Sequence, residues 1–321
     1  VKIVVVDPNL APHRERFESR LPPGSDIGWF TGDAPEAELR DAEVFVGSRF
    51  TAEMAGYAKN LRLVHPAAAG TDRIDFAALA PGILVANTFH HERSIAEYVV
   101  GAAAMLHRGF LTQDQRLRDG VWATSVYDRS IPQIPTLGEA RVGFVGFGHI
   151  GTFAWKLLQT FGCTAAAVTG SGKVADDAGL RWVGDTGRLD QLMRESDVVV
   201  VSAPLNSHTG GMIGAPQLEA LGPDGVLINV GRGPLVQERA LFDALAGDVI
   251  KGAAIDVWYR YPVDGVGCAP SDLPFEKLPN ILMTPHSSGV TRDTFAGRAG
   301  DVADNIGRLA RGEPLRNLVR G

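Results

Sequence analysis

Along the first 95 residues, short apolar runs alternate with amphipathic stretches. The runs at 3–6, 44–46, 61–64 and 83–85 are rich in Val, Ile and Leu, and Pro/Gly turns or helix-like stretches such as 51–59 separate them. This alternation predicts buried strands in a parallel α/β unit. Ser94-Ile95-Ala96-Glu97 has the form of a capping box and opens an apolar helix predicted to reach about residue 108, a length suited to joining two domains. A second helix is predicted to end at Asp119 before Gly120, and the Pro-rich stretch 131–136 reads as a linker. Strands then recur at 141–145, 165–168, 198–201, 226–228, 252–255 and 281–283, and a final helix covers about 293–310. The whole reads as an α/β chain with two units of similar design.

A chain of 321 residues has room for two hydrophobic cores. Its net charge of -6 leaves no basic face for nucleic acid, and no Lys/Arg run suits an anionic membrane, so a small metabolite is the expected partner. Residues 1–6 are too short an apolar run, and too soon followed by Asp7 and Pro8, to be a signal peptide. No run approaches a membrane span, and a soluble, cytoplasmic protein is expected. The two cysteines, Cys163 and Cys268, lie far apart without a metal-like spacing. Cys163 is expected in the core, Cys268 in a loop, and no metal is expected.

Candidate chemistry collects where predicted strands end. Gly146-Phe147-Gly148-His149-Ile150-Gly151 follows a strand at once and precedes a helix, the setting in which such glycines cradle a dinucleotide pyrophosphate at a helix N-terminus. The next strand ends at Thr169-Gly170-Ser171-Gly172-Lys173, where an acid would read an NAD ribose. With no carboxylate there, and with Thr169, Ser171 and Lys173 able to donate to a 2'-phosphate, NADP is favoured over NAD; Asp176 and Asp177 come too late in the chain. The strand at 198–201 leads to Ala203-Pro204. The strand at 226–228 breaks into Asn229-Val230-Gly231-Arg232-Gly233, so that Arg232, between glycines, either caps or pairs locally or offers its planar fork to a carboxylate. Asp256 and His286 follow the next two strands, which puts Arg232, Asp256 and His286 on one sheet edge. In the first unit, Ala67-Ala68-Ala69-Gly70-Thr71 is either a tight turn or a backbone surface for an anion. His90, His91 and Glu92 read as a solvated loop, with a substrate contact through His91 as the alternative.

Taken together, Gly70-Thr71-Asp72-Arg73-Ile74-Asp75, the Ser94 to Glu97 box, the Gly146 to Gly151 loop, Asn229 to Gly233, Asp256-Val257 and Pro285-His286 resemble, in order, the motifs of the D-isomer-specific 2-hydroxyacid dehydrogenases. The resemblance implies two Rossmann-like/flavodoxin-like parallel-sheet domains, the nucleotide-binding domain (97–286) inserted into a substrate domain (1–96 and 287–321), and a homodimer. It implies that Arg232 holds the substrate carboxylate and polarises its carbonyl, that His286 is the general acid/base, that the backbone of Ala69 and Gly70 binds the carboxylate, and that Asp256 contacts the nicotinamide amide. The family's Glu, five residues after that Asp and before a proline, is replaced by Tyr261, which can orient an imidazole but brings no negative charge. The same departure is similar to formate dehydrogenases, which lack the Glu and need no acid/base; a phosphorus-oxyanion-oxidising relative and a cofactor-sensing corepressor-like protein are the other readings. Trp258, Tyr259, Tyr261 and the Pro/Gly-rich stretch 262–275 form either a lid or loop packing.

Overall fold

The computed structural model describes residues 1–175, 178–263 and 266–321; Asp176 and Asp177, and Asp264 and Gly265 of the stretch 262–275, lie outside the described residues. The chain folds into two compact units, Val1–His91 with Val290–Gly321, and Glu92–Gly289. Both are built on mainly parallel sheets, so the α/β class expected from the alternation of runs holds.

In the first unit, β1 (Lys2–Val5), β2 (Asp26–Trp29), β3 (Val44–Val46), β4 (Leu63–Val64) and β5 (Leu84–Ala86) pair in parallel, and the C-terminal strand Leu318–Arg320 adds antiparallel to β5. Short helices α1 (Arg14–Glu18), α2 (Glu36–Asp41) and α3 (Ala52–Tyr57) connect them. The long C-terminal helix Arg292–Arg311 buries Phe295, Ala299, Val302, Ala303 and Ile306, spaced three and four apart, in one core with Ile3, Val5, Val44 and Leu63. Thr291 caps it by accepting from the Thr294 N–H, and Gly312, at φ 69°, ends it. Strand β2 escaped the hydrophobic pattern because it is only half-buried and contains Gly28, whose missing Cβ leaves room for the Phe30 ring.

His65, fully buried just after β4, joins this helix to the sheet. Its Nδ1 donates to the Pro66 carbonyl at 3.0 Å, which leaves Nε2 to accept from the Asn305 amide at 2.9 Å. Asn305 also closes on the backbone of Arg316 through both side-chain atoms.

The second unit carries a seven-stranded, all-parallel sheet in the order β12–β11–β10–β9–β6–β7–β8, with β6 (Arg141–Val145), β7 (Thr164–Val168), β8 (Val183–Gly184), β9 (Val198–Val201), β10 (Val226–Asn229), β11 (Gly252–Ile255) and β12 (Ile281–Met283). All four valines of β9 are inaccessible, as a strand covered on both faces requires. Helices α4 (Glu92–His107) and α6 (His149–Thr160) build the core on one face, with α5 (Phe110–Arg118) touching it through Leu111, and α7 (Leu189–Arg194), α8 (Ala215–Leu221) and α9 (Glu238–Ala246) build that on the other. The direction of strand order reverses beside β6, between β7 and β9, which is where a doubly wound sheet opens a crevice. Cys163 is buried before β7 and Cys268 is exposed in a loop. Among the described residues no helix is long and apolar enough to cross a membrane.

One boundary needs correction. Helix α4 starts at Glu92, so Ser94 lies inside its first turn and is not its cap. The reason is tertiary: the preceding chain is already held by the Thr294 hydroxyl and Arg298 Nε, which donate to the carbonyls of His90 and Phe89.

Burial lowers the His65 pKa to about 4. The unfolded chain, titrating near 6.5, therefore binds more protons below that pH, and the stability from neutral His65 is complete above 6.5 and lost as pH falls toward 4. This amounts to roughly 3 kcal/mol. Urea unfolding at pH 7 and pH 4 tests it: wild type is expected to lose about that much more than His65→Gln between the two, and equal losses contradict it.

Candidate active site

The three glycines after β6 have three different surroundings. Gly146, at φ 87°, sits so close to the next strand-end loop that a Cβ would come within 2.6 Å of the Ala203 nitrogen. Its N–H donates to Val168 and its carbonyl accepts from the Ser202 hydroxyl. A Cβ on Gly151 would meet the Gly146 carbonyl at 3.1 Å, so this glycine lets α6 pack against the turn. At Gly148 a Cβ would meet nothing within 4 Å. Gly148 is also the N-cap of α6 and supplies no capping side chain to its first turn. That space, at the positive end of a 12-residue helix, fits a pyrophosphate. Phe147 and Ile150 pack on the core beneath, and His149 stands at the mouth with Nδ1 3.8 Å from Glu92. Buried Ala203 and exposed Pro204 border the turn. The helix begins at His149, inside the glycine motif and not after it.

After β7 the loop folds upon itself. The Thr169 N–H donates to Gly184, the Lys173 N–H to the Thr169 hydroxyl at 3.1 Å, and the Ser171 and Thr169 hydroxyls lie 3.4 Å apart. Lys173 is exposed. Asp185, after β8, is a neighbouring carboxylate, and it caps its own turn by accepting from the Gly187 N–H.

The parallel register aligns Asn229, Ile255 and Met283 in one row across β10, β11 and β12. Arg232 and His286 each come three residues beyond this row, on outer and outer strands of the trio, and Asp256 one residue beyond it in the middle. With strands about 4.8 Å apart, β10 and β12 are roughly 10 Å from each other, a spacing that side chains can bridge to one small molecule.

Arg232 is braced from behind. Buried Asn229 accepts from the Gly231 N–H at 3.1 Å and donates to the Arg232 carbonyl at 3.0 Å. The Arg232 Nη1 donates to the Gly231 carbonyl at 2.9 Å. A side chain on Gly233 would collide with the Trp258 carbonyl, so glycine there lets the β10 and β11 loops close up. Buried Trp258 in turn donates from Nε1 to the Thr284 carbonyl at 2.8 Å, which ties in the loop after β12.

His286 itself is exposed and left-handed, at φ 58°, a conformation that costs a non-glycine residue about 1 kcal/mol or more. Asp256, completely buried, holds this turn. Its Oδ1 accepts from Thr284 Oγ1 at 2.7 Å and from the Ser287 N–H at 2.9 Å; its Oδ2 accepts from the Ser288 N–H at 3.1 Å and from the Ser288 hydroxyl. Thr284 Oγ1 also lies 3.1 Å from the Tyr98 hydroxyl. Its one hydrogen serves the carboxylate, so the phenol is the donor in that second contact. Burial raises the Tyr98 pKa to about 12, which keeps that donor protonated. The Tyr261 ring packs against the imidazole, centroids 5.6 Å apart and tilted by 54°, and its oxygen accepts the Trp258 N–H at 3.0 Å. Ser271, Phe275 and Trp258 are buried beside this segment. The sequence assigns no role to Asn229, Thr284, Ser288 or Tyr98; only Asn229, two residues before Gly231-Arg232-Gly233, carries a visible signal.

In the first unit, the carbonyls of Ala68 and Ala69 accept from the Thr88 N–H and the Asn87 amide. Because a trans peptide sets N–H opposite C=O, the N–H groups of Ala69 and Gly70 point away from β5. The solvated-loop reading of 90–92 needs correction. His91 is buried with its ring stacked 6.3 Å from Phe89, Glu92 opens α4, and His90, at φ 68°, places Nε2 2.8 Å from Asp301, which also accepts from Thr88. Alternating polarity gives no sign of the His90 contact, since its anchor, Asp301, comes from the far end of the chain. Among the described residues no three His, Cys, Asp or Glu side chains are grouped as metal ligands would be.

Residues 100–288 match the family model described as D-isomer specific 2-hydroxyacid dehydrogenase, NAD binding domain. The chain is 32% identical over 301 residues to formate dehydrogenase 2, mitochondrial, of Oryza sativa subsp. japonica, covering 88% of this chain and 75% of that protein. It is 32% identical over 267 residues to the glycerate dehydrogenase of Methylorubrum extorquens, covering 81% and 79%. In fold it is similar to the D-isomer specific 2-hydroxyacid dehydrogenase of Lactobacillus delbrueckii ssp. bulgaricus solved in NAD complexed form, with a TM-score of 0.83 and 22% identity over 100% of both chains. The chain therefore belongs to the D-isomer specific 2-hydroxyacid dehydrogenase family, oxidoreductases whose NAD-binding domain is matched here by residues 100–288.

Proposed function

We propose that this protein interconverts a small 2-keto acid and its D-2-hydroxy acid, with NADP(H) preferred over NAD(H). The observation that carries the proposal is the row across β10, β11 and β12, beyond which Arg232 and His286 each follow by three residues on the same sheet edge. The bound nicotinamide supplies and accepts the hydride. Arg232 binds the substrate carboxylate through its fork and draws electron density from the carbonyl. His286 gives a proton to the carbonyl oxygen in reduction and takes it back in oxidation. We assign the nucleotide-binding role to 97–286, with Gly146 to Gly151, Ala203 and Pro204 around the cofactor. The substrate-domain role falls to 1–96 and 287–321, with the N–H groups of Ala69 and Gly70 toward a carboxylate and His91, buried and stacked on Phe89, as a substrate contact. The preference for NADP(H) rests on exposed Lys173 and on the absence of a carboxylate from 169–173. A homodimer gives cover to Trp122, Val126 and Tyr127, exposed by 60%, 76% and 68%.

A second reading is favoured by one contact: the Tyr261 phenol lies against His286, from the position where the resemblance calls for a Glu. Oxidation of formate requires no proton transfer and tolerates such a partner. Turnover of formate with either oxidised cofactor, in the absence of any 2-keto acid reduction, selects this reading.

Steady-state assays with NADPH and NADH against glyoxylate, hydroxypyruvate and bulkier 2-keto acids test the principal one. The expected result is turnover favouring NADPH, with Lys173→Ala raising the KM for NADPH about tenfold and that for NADH less than twofold. Preference for NADH in wild type contradicts the cofactor assignment. Tyr261→Glu tests the partner of His286. A carboxylate at that distance favours imidazolium, so the alkaline limb of kcat/KM for reduction is expected to move up by about one pH unit or more; an unmoved limb contradicts it.

A further inference from the structure

We propose that Asp256 is a positioning residue, whose carboxylate fixes the left-handed turn that carries His286; the proposal rests on the reading of His286 as proton donor and acceptor. The evidence is the geometry of four donors. Two come from successive backbone N–H groups, Ser287 and Ser288, which converge on one carboxylate. Consecutive N–H groups converge in this way when the residue before them adopts positive φ and the chain forms an anion-binding concavity. That residue is His286, at φ 58°. The two hydroxyl donors come from Thr284 and Ser288, two residues before and two after the histidine, so the turn is bracketed on both sides. Tyr98, from α4, adds a further contact behind Thr284.

This assignment differs from a contact between Asp256 and the nicotinamide amide. A carboxylate offers about four acceptor sites, and four protein donors already fill them. An amide N–H would have to displace one of these donors. The strained histidine and the buried carboxylate explain each other: the carboxylate needs two convergent N–H groups, and the turn needs an anion to hold it.

The full chain with Asp256→Asn, Thr284→Val and Thr284→Ser tests the proposal by three readings. Amide hydrogen exchange over 284–291, without cofactor, is expected to quicken about tenfold in Asp256→Asn and Thr284→Val and to stay near wild type in Thr284→Ser. The kcat for 2-keto acid reduction is expected to fall at least about tenfold in the first two and to return within twofold in Thr284→Ser. The NADPH Kd, from nucleotide fluorescence, is expected to change less than twofold in all three. If Asp256→Asn instead weakens NADPH binding by tenfold or more while exchange over 284–291 is unchanged, the carboxylate serves the cofactor and the proposal is overturned. Should Asp256→Asn fail to fold, the Thr284 pair decides on the same readings, unchanged exchange and kcat in Thr284→Val overturning it. Should wild type reduce no 2-keto acid, the functional reading fails by itself, and the exchange arm still decides whether Asp256 holds the turn.

Discussion

Parallel pairing of β10, β11 and β12 in fixed register is the constraint on which the rest depends. Because all three strands run the same way and end in one row, their loops leave the sheet together, and whatever chemistry the sequence supplies at those points is gathered on one edge. A slip of one residue in β10 or β12 would turn its side chains to the other face and shift the loop that carries Arg232 or His286. The register is defended by burial: every residue of β10 and β11 is inaccessible, so a slip would expose one core and fill the other with Asn229.

Above that row, order comes from polar groups that the sheet does not supply. Asn229 braces Arg232 from within its own turn, Trp258 links the β11 loop to Thr284, and Asp256 closes on the turn that carries His286. Glycines act by absence. Gly233 admits the Trp258 backbone and Gly146 admits Ala203, so neighbouring loops approach more closely than any side chain would permit. Local strain at His286 is tolerated because donors on both sides overdetermine the turn. On the other half of the edge, the same logic leaves Gly148 open and α6 uncapped, where a phosphate group fits.

The parts legible in the sequence are those written in local pattern. The runs at 141–145, 198–201 and 252–255 match β6, β9 and β11 because fully buried parallel strands are continuous apolar runs with Gly or Pro beyond them. The Gly146 to Gly151 turn was legible for the same reason, and the family followed from several such motifs in order. What escaped depends on distant partners. Ser94 and Glu97 satisfy a local capping rule, yet α4 starts at Glu92 because Thr294 and Arg298 fix the chain ahead of it. His90 looks like a loop residue until Asp301, from the far end of the chain, is in place. Asp256 was visible as a strand-end acid, but nothing local showed that its carboxylate would be consumed by the turn after the next strand.

The proposed reaction is direct hydride transfer between the cofactor and the carbon beside the substrate carboxylate. Reduction of a 2-keto acid panel with NADPH deuterated at C4 of the nicotinamide measures this most directly. Deuterium at C2 of a D-2-hydroxy acid, from one face of the nicotinamide only, is the predicted result. No label in any 2-hydroxy acid, or label taken only from solvent, contradicts it.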